Sequence, residues 1–255
     1  MLAAKRHEMI STALRRAGVV STDELARELG VSAETVRRDL VTLEAQGRLH
    51  RVHGGAAPAG GFTGPEPSYD DRSRQATKNK QAIAARAARL IHPGQTVVFD
   101  VGTTVLEVAR RLPADFYGTI ATSSLPVAVA LAGRPGVEVL VAGGRVRPGD
   151  LALSNAQTQQ FFHDLRADLA FLGSGGVDAV AGLTDFHLDE VAVRRIIIAN
   201  SAARYALADS AKIGRVAPHR VCELAELDGI ITDGELPEAQ ARALDKVAKT
   251  IVLAG

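Results

Sequence analysis

Five short polar clusters each follow an apolar run, and their residue types suit the capture of an anion. They are Asp100-Val-Gly-Thr-Thr104, Thr122-Ser-Ser124, Gly143-Gly-Arg145, Gly173-Ser-Gly-Gly176 and Asp209-Ser-Ala-Lys212. Glycine admits close backbone approach, and the hydroxyls donate hydrogen bonds. A helix opening just after such a cluster adds orphan N–H groups and the positive end of its dipole. Simple helix capping by Thr103 or Thr104 would need the same residues, and the spacing alone leaves both readings open. A second group lies near the N-terminus, where Arg37, Arg38 and Arg51 are of the type that contacts phosphates and base edges of nucleic acid.

The elements that must position these groups follow from periodicity. Thr96–Asp100, the run from Thr119 into the hydroxyls ending at Ser124, Val137–Ala142, Ala167–Leu172, Arg204–Ala208, Gly229–Thr232 and Thr250–Leu253 read as strands. Helical stretches alternate with several of them, including 75–91 with Ile83, Ala87, Leu90 and Ile91 as its apolar edge, Val105–Leu112, and Pro126–Leu131. The pattern is that of a parallel α/β sheet, which places ligand crevices at the carboxyl ends of its strands. No Gly-x-x-x-x-Gly-Lys-Ser/Thr loop and no helix-opening Gly-x-Gly-x-x-Gly occurs, so no nucleotide cofactor is expected.

The first fifty-odd residues read differently. Met9, Ile10, Ala13, Leu14 and Ala17 fall at helical spacing, and Gly18 reads as a stop. Ser21 and Glu24 have capping-box spacing and open a short helix that ends at Gly30. Ser32 can cap a third helix whose inward stripe is Val36, Leu40 and Leu43. That leaves Thr35, Arg37 and Arg38 outside the stripe. Two helices joined at Gly30-Val31 make a helix-turn-helix, and residues 48–55 alternate enough for a two-stranded wing ending in glycines. The wing histidines join the arginines as candidate contacts. Residues 54–67 hold five glycines and three prolines and read as a linker or extended arm.

The run Gly30-Val-Ser-Ala-Glu-Thr-Val-Arg-Arg-Asp-Leu-Val-Thr-Leu-Glu, with Gly47 and His53-Gly54-Gly55, resembles the signature of DeoR-type bacterial transcriptional regulators. Asp100-Val-Gly-Thr-Thr, Gly143-Gly-Arg, Asp168-Leu-Ala-Phe-Leu-Gly, Gly182-Leu-Thr-Asp and Leu207-Ala-Asp-Ser-Ala-Lys continue the resemblance in order and spacing across 4–235. It implies a winged helix-turn-helix over 1–57, a linker over 58–74, and an α/β effector and oligomerisation domain over 75–255. That domain is similar in fold to ribose-5-phosphate isomerase and CoA-transferase-like proteins. By the resemblance, Ser32, Glu34, Thr35, Arg37, Arg38, Arg51 and His53 face operator DNA. Asp100, Gly102, Thr103, Thr104, Thr122, Ser123 and Ser124 line a phosphorylated-sugar site, Gly144 and Arg145 join them, and Lys212 supplies the cation. Asp185 and Glu190 would accept from sugar hydroxyls. The family commonly shows Thr-Asn-Ser where this chain has Thr122-Ser123-Ser124, and Asp-x-Ser-Lys where it has Asp209-Ser210-Ala211-Lys212, which alters the hydroxyls that could be satisfied.

The expected function is a repressor of a sugar-metabolism operon, working as a homodimer or higher even-numbered oligomer; an isomerase-like enzyme using Asp100, Asp185 or Glu190 as base is the alternative. Composition bounds both. The 255 residues carry 30 Lys+Arg against 29 Asp+Glu, a net of +1, which excludes a polybasic coat on nucleic acid. Residues 1–53 are locally basic, with nine Lys/Arg against seven Asp/Glu. One cysteine, Cys222, excludes an internal disulfide framework and reads as a buried structural thiol. No apolar run reaches the roughly 18 residues of a membrane span, the N-terminus breaks into charge too early for a signal peptide, and a cytoplasmic location is expected. His163 and His187 read as surface polar residues rather than metal ligands, and Arg194-Arg195 as a solvated or interface pair.

Overall fold

The computed structural model describes residues 2–17, 20–52, 55–58 and 66–254. Gly18 and His53 therefore lie outside the described residues.

The N-terminal unit comprises α1 (Ala3–Ala17), β1 (Val20–Ser21), α2 (Thr22–Leu29), α3 (Ala33–Ala45), β2 (Leu49–Val52) and β3 (Gly55–Pro58). The Ser21/Glu24 capping box forms at the start of α2. Gly30 takes φ +63, the left-handed conformation that turns the chain between α2 and α3, and its N–H closes on Ala26 and Arg27 carbonyls. Val36, Leu40 and Leu43 are buried, against Ile10, Leu14 and Leu25. The wing differs from expectation. It extends to Pro58, because β3 pairs with β2 from Val52↔Gly55 to Leu49↔Pro58 and with β1 on its other side. Gly55 sits where a Cβ would lie 2.1 Å from the Val20 carbonyl oxygen, so β1 can approach only a glycine there.

The 58–74 linker also holds more structure than its composition suggests. Ser68 caps α4 (Tyr69–Arg74) through the Asp71 N–H, and Ala76 then takes φ 49 to turn into α5 (Thr77–Ala88). Lys80, buried, donates to the carbonyls of Gln75 (2.7 Å) and Arg72, satisfying the end of α4 from the next helix.

The remainder is β4 (Thr96–Phe99), α6 (Thr103–Arg110), β5 (Gly118–Thr122), α7 (Leu125–Leu131), β6 (Val137–Val141), α8 (Ala156–His163), β7 (Ala167–Leu172), β8 (Gly176–Asp178), β9 (Gly182–Asp185), α9 (Leu188–Asn200), β10 (Ser201–Leu207), β11 (His219–Cys222), β12 (Gly229–Asp233), α10 (Glu238–Leu244) and β13 (Ile251–Ala254). Seven strands form one parallel sheet in the order β13-β12-β10-β7-β4-β5-β6. Alternate residues feed two cores, one on each face. Val97, Phe99, Leu169, Phe171 and Ile231 pack with α5, α6 and α7; Val98, Ala170, Leu172 and Ile230 pack with residues of α8, α9 and α10. Phe99 and Phe171 stack at 5.8 Å between centroids.

The strand order reverses between β4 and β7, so the chain leaves their carboxyl ends in opposite directions and opens a crevice there. A small antiparallel sheet, β11-β9-β8, was not expected. It delivers Asp185 at the end of β9.

Candidate effector site and nucleic-acid interface

The crevice is built from the turns after β4, β7 and β10. Gly102, at φ 127, is the N-cap of α6, and neither Thr103 nor Thr104 caps the helix through its side chain. The capping alternative is thus not realised. The first-turn N–H groups of α6 have no intrahelical acceptor and face the same crevice end of the sheet. Thr103, Ser174 and Lys212 line two adjoining cavities of about 80 and 20 Å³, together with Glu66 and Arg72. Lys212 Nζ donates to the Ser174 carbonyl at 2.6 Å. Burial pulls its pKa down to about 8, with Asp209 opposing.

Behind the crevice lies a buried ion cluster centred on Arg194. Its Nε donates to Asp100 Oδ2 at 2.5 Å, Nη1 lies 2.6 Å from Asp185 Oδ2, and Nη2 lies 3.5 Å from Glu190 Oε2. Arg194 is 3% exposed, so the solvated-pair expectation is corrected: the carboxylates of Asp100, just after β4, and Asp185, in β9, compensate its desolvation, with Glu190 of α9 beside them. Arg195 instead donates to the carbonyls of Val221 (3.0 Å) and Arg220 (2.5 Å). Asp100 also accepts from the Gly173 N–H at 2.9 Å, tying the ends of β4 and β7 together. A Cβ at Gly173 would meet the Val101 carbonyl at 2.4 Å.

Asp100, expected to line the ligand site, lines neither cavity, and its Oδ2 is taken up by Arg194 and the Gly173 N–H. Asp185 and Glu190 do line the smaller cavity. Burial pushes the Asp185 carboxyl up, but Arg194 and the N–H groups of Phe186 and His187 hold it below its ordinary value. Burial pushes Glu190 up to about 8, and neighbouring Asp185 adds to the rise while Arg194 opposes it. Near neutral pH Glu190 holds a proton.

The other expected residues separate from this site. Thr122, Ser123 and Ser124 are all buried and line neither cavity. Thr122 Oγ1 accepts from the Ser124 N–H, and Ser124 Oγ caps α7 at the Val127 N–H. The Leu153 N–H covers the Ser123 carbonyl at 2.8 Å. The Thr122 and Ser124 hydroxyls serve the local chain, which is what a strand-to-helix turn demands. Gly144 packs against the α8 cap, where a Cβ would lie 2.5 Å from Asn155 Oδ1. Arg145 is exposed, beside Phe186 and His187 in a separate shallow depression.

Residues that the sequence reading missed complete the site. Arg147 pairs with Asp150 and approaches Glu190 Oε1 to 2.5 Å without hydrogen-bond alignment. Glu66 forms an ion pair with Arg72 Nη1 at 2.9 Å, contacts His187 Nε2 at 2.7 Å and lies 3.8 Å from Arg147. Arg72 reaches Asp150 at 3.3 Å. The Arg147-x-x-Asp150 spacing was a readable signal; Glu66 and Arg72 gave none, because they sit beside a Gly/Pro-rich tract. Cys222 is buried and its thiol is pushed up to about 12, mainly by burial.

On the N-terminal unit, Ser32 Oγ accepts from the Thr35 N–H (3.2 Å) and shares a hydrogen bond with Thr35 Oγ1. Arg37 and Arg38 are exposed and rest 3.4 and 3.5 Å from Glu34. The Arg51 N–H donates to Glu44 at 2.7 Å. Such exposed pairs are weak and exchange readily for phosphate. Beneath them, buried Asp39 anchors α3 to α1 through a bidentate pair with Arg6 (2.7 and 2.9 Å) and contact with His7 (3.0 Å). The Arg6 hydrogen bonds are the main cause holding the Asp39 carboxyl low.

Residues 75–234 match the DeoR C terminal sensor domain, and residues 6–59 match the DeoR-like helix-turn-helix domain. The HTH-type transcriptional regulator GlpR of Haloferax volcanii is 35% identical over 99% of this chain and 98% of its own. The Glycerol-3-phosphate regulon repressor of Escherichia coli K12 is 34% identical over 96% of each chain. A putative aga operon transcriptional repressor of Escherichia coli O157:H7 is 32% identical over 99% of this chain and 94% of its own. Among solved structures, ribose 5-phosphate isomerase A of Methanocaldococcus jannaschii aligns over 53% of this chain and 54% of its own, at TM-score 0.39 and 15% identity, a likeness too slight to carry an argument.

Proposed function

Because the chain belongs to the DeoR family of transcriptional regulators, we propose that it is a repressor whose operator affinity is set by a phosphorylated sugar or polyol held at the β4/β7 switch point. One observation carries this reading: Thr103, Ser174 and Lys212 meet at the N-terminus of α6, in a crevice on the ligand side of a parallel sheet. Lys212 and the α6 N–H groups take the phosphate, and Asp185 and Glu190 face the remainder of the ligand. The names of its relatives point to small phosphorylated carbohydrates as the first ligands to try.

The DNA-binding unit supports the other half. Arg37 and Arg38 on α3, which Asp39 anchors to α1, and Arg51 on β2 all pair with glutamates at the surface. A single helix-turn-helix has a small footprint, so the working form is a dimer or higher even-numbered oligomer on a near-palindromic site. The chain is a regulator, not an isomerase: two of the carboxylates once assignable as base, Asp100 and Asp185, are engaged by Arg194. Among the described residues no helix is long and apolar enough to cross a membrane, and a DNA-bound regulator belongs in the cytoplasm.

Thermal shift with a panel of phosphorylated sugars tests the reading. At least one should raise the melting temperature with concentration, as mass action requires, and Lys212→Ala and Thr103→Ala should each abolish the rise. A rise that survives in both variants would place the ligand elsewhere.

A further inference from the structure

The crevice is too small for the ligand assigned to it. Ligand sites run to about 300–1,000 Å³, whereas the two adjoining cavities measure about 80 and 20 Å³. Part of the wall must therefore move. Of the residues common to both cavities, Thr103, Ser174 and Lys212 sit at the ends of the central strands, where the two cores fix the backbone. Glu66 and Arg72 come instead from the segment that enters the domain through α4, none of whose residues is fully buried.

Charge tells the same story. The Glu66 carboxylate lies between two arginines and a histidine: Arg72 at 2.9 Å, Arg147 at 3.8 Å and His187 at 2.7 Å. A carboxylate among arginines at the rim of an anion site holds the place that a phosphate oxygen would take, since both are planar-edged acceptors for a guanidinium fork. Arg72 and Arg147 cannot serve a ligand while Glu66 and Asp150 neutralise them. Removing Glu66 would enlarge the cavity and free cationic surface in one movement.

We propose that Glu66 is a built-in competitor of the effector: its carboxylate, paired among Arg72, Arg147 and His187, closes the cavity wall that Glu66 and Arg72 share with Lys212 and the α6 N-terminus, and an effector phosphate held there displaces it. The inference rests on the anion-site reading above and adds its regulation. Glu66 stands eight residues beyond Pro58, where the wing ends. Its release therefore frees the segment that tethers the DNA-binding unit, so effector binding and the docked tether exclude each other. A ligand controls a two-state element only by binding one state better, and a shared position achieves that directly.

Calorimetric titration of the full chain with inorganic phosphate, joined to amide hydrogen exchange across 66–74, tests this. Glu66→Gln and Glu66→Ala should each bind phosphate about tenfold more tightly than wild type, because the competing state is gone. Exchange in 66–74 should rise in the wild type on adding phosphate and should already be fast in both variants without it. If phosphate binds the wild type and is lost in Lys212→Ala, yet binds Glu66→Gln and Glu66→Ala no more tightly and leaves exchange unmoved, the competitor is overturned while the anion site stands. If phosphate binds neither the wild type nor either Glu66 variant, both fall.

Discussion

Burying the Arg194 guanidinium costs several kcal/mol of desolvation, which the Asp100 and Asp185 carboxylates offset from distant parts of the chain. Arg194→Ala leaves those carboxylates facing one another and should destabilise the effector domain by about 3–5 kcal/mol in denaturant unfolding. Glu190 gives a pH signature. Its folded pKa of about 8 lies above the ordinary 4.5, so its contribution to stability is full below 4.5 and is lost as pH rises through 8. Glu190→Gln should flatten the fall of stability across that window; an unchanged slope would deny the raised value. Lys212 carries the opposite shift, and above pH 8 it loses the proton that holds phosphate. Effector affinity should thus decline as pH rises past about 8, while Glu190 ionises beside it. At this scale Thr103 and Lys212, whose site roles came from the family resemblance, stand in polar clusters after β4 and β10 and line the crevice. Arg194 was invisible: an arginine on an amphipathic helix reads as solvent-facing until the carboxylates from 94 and 9 residues away are brought to it.

Elements were legible where a long periodic run carried them. All seven strands of the main sheet and the helix-turn-helix follow from apolar patterning, the strands as short apolar runs with a core on each face of the sheet and the helices as 3.6-residue faces. The β8, β9 and β11 strands span only three or four residues, with a register shift between Arg220 and Cys222, and leave no such trace. α4 was hidden by the Gly/Pro-rich tract before it, and its docking depends on Lys80 from α5 rather than on its own sequence. Gly30 is the hinge of the DNA reader. A Cβ there meets nothing within 4 Å, so Gly30→Ala suffers only the left-handed backbone penalty, about 1–2 kcal/mol. Urea unfolding should show that loss in the N-terminal unit, and operator affinity should fall with it.

Across the whole molecule, near-zero net charge masks two specialised surfaces, a locally basic reader and a crevice whose cations are largely neutralised from within. The parallel α/β class was legible at this scale from the alternation of strands and helices, whereas the strand order was not. The crevice's closure was not, since it depends on a segment that returns from the wing to meet Arg147 and His187. Arg37→Ala with Arg38→Ala should weaken operator binding and lower its salt dependence, as two lost phosphate neutralisations require. The most direct test of effector-controlled DNA binding is the affinity of the full chain, at fixed salt, for a duplex it selects from a random pool, measured with and without the phosphorylated sugar that best stabilises it. The account predicts a shift of at least about tenfold, a coupling of ordinary allosteric size, that disappears in Lys212→Ala. Equal affinity with and without a sugar that demonstrably binds would contradict it.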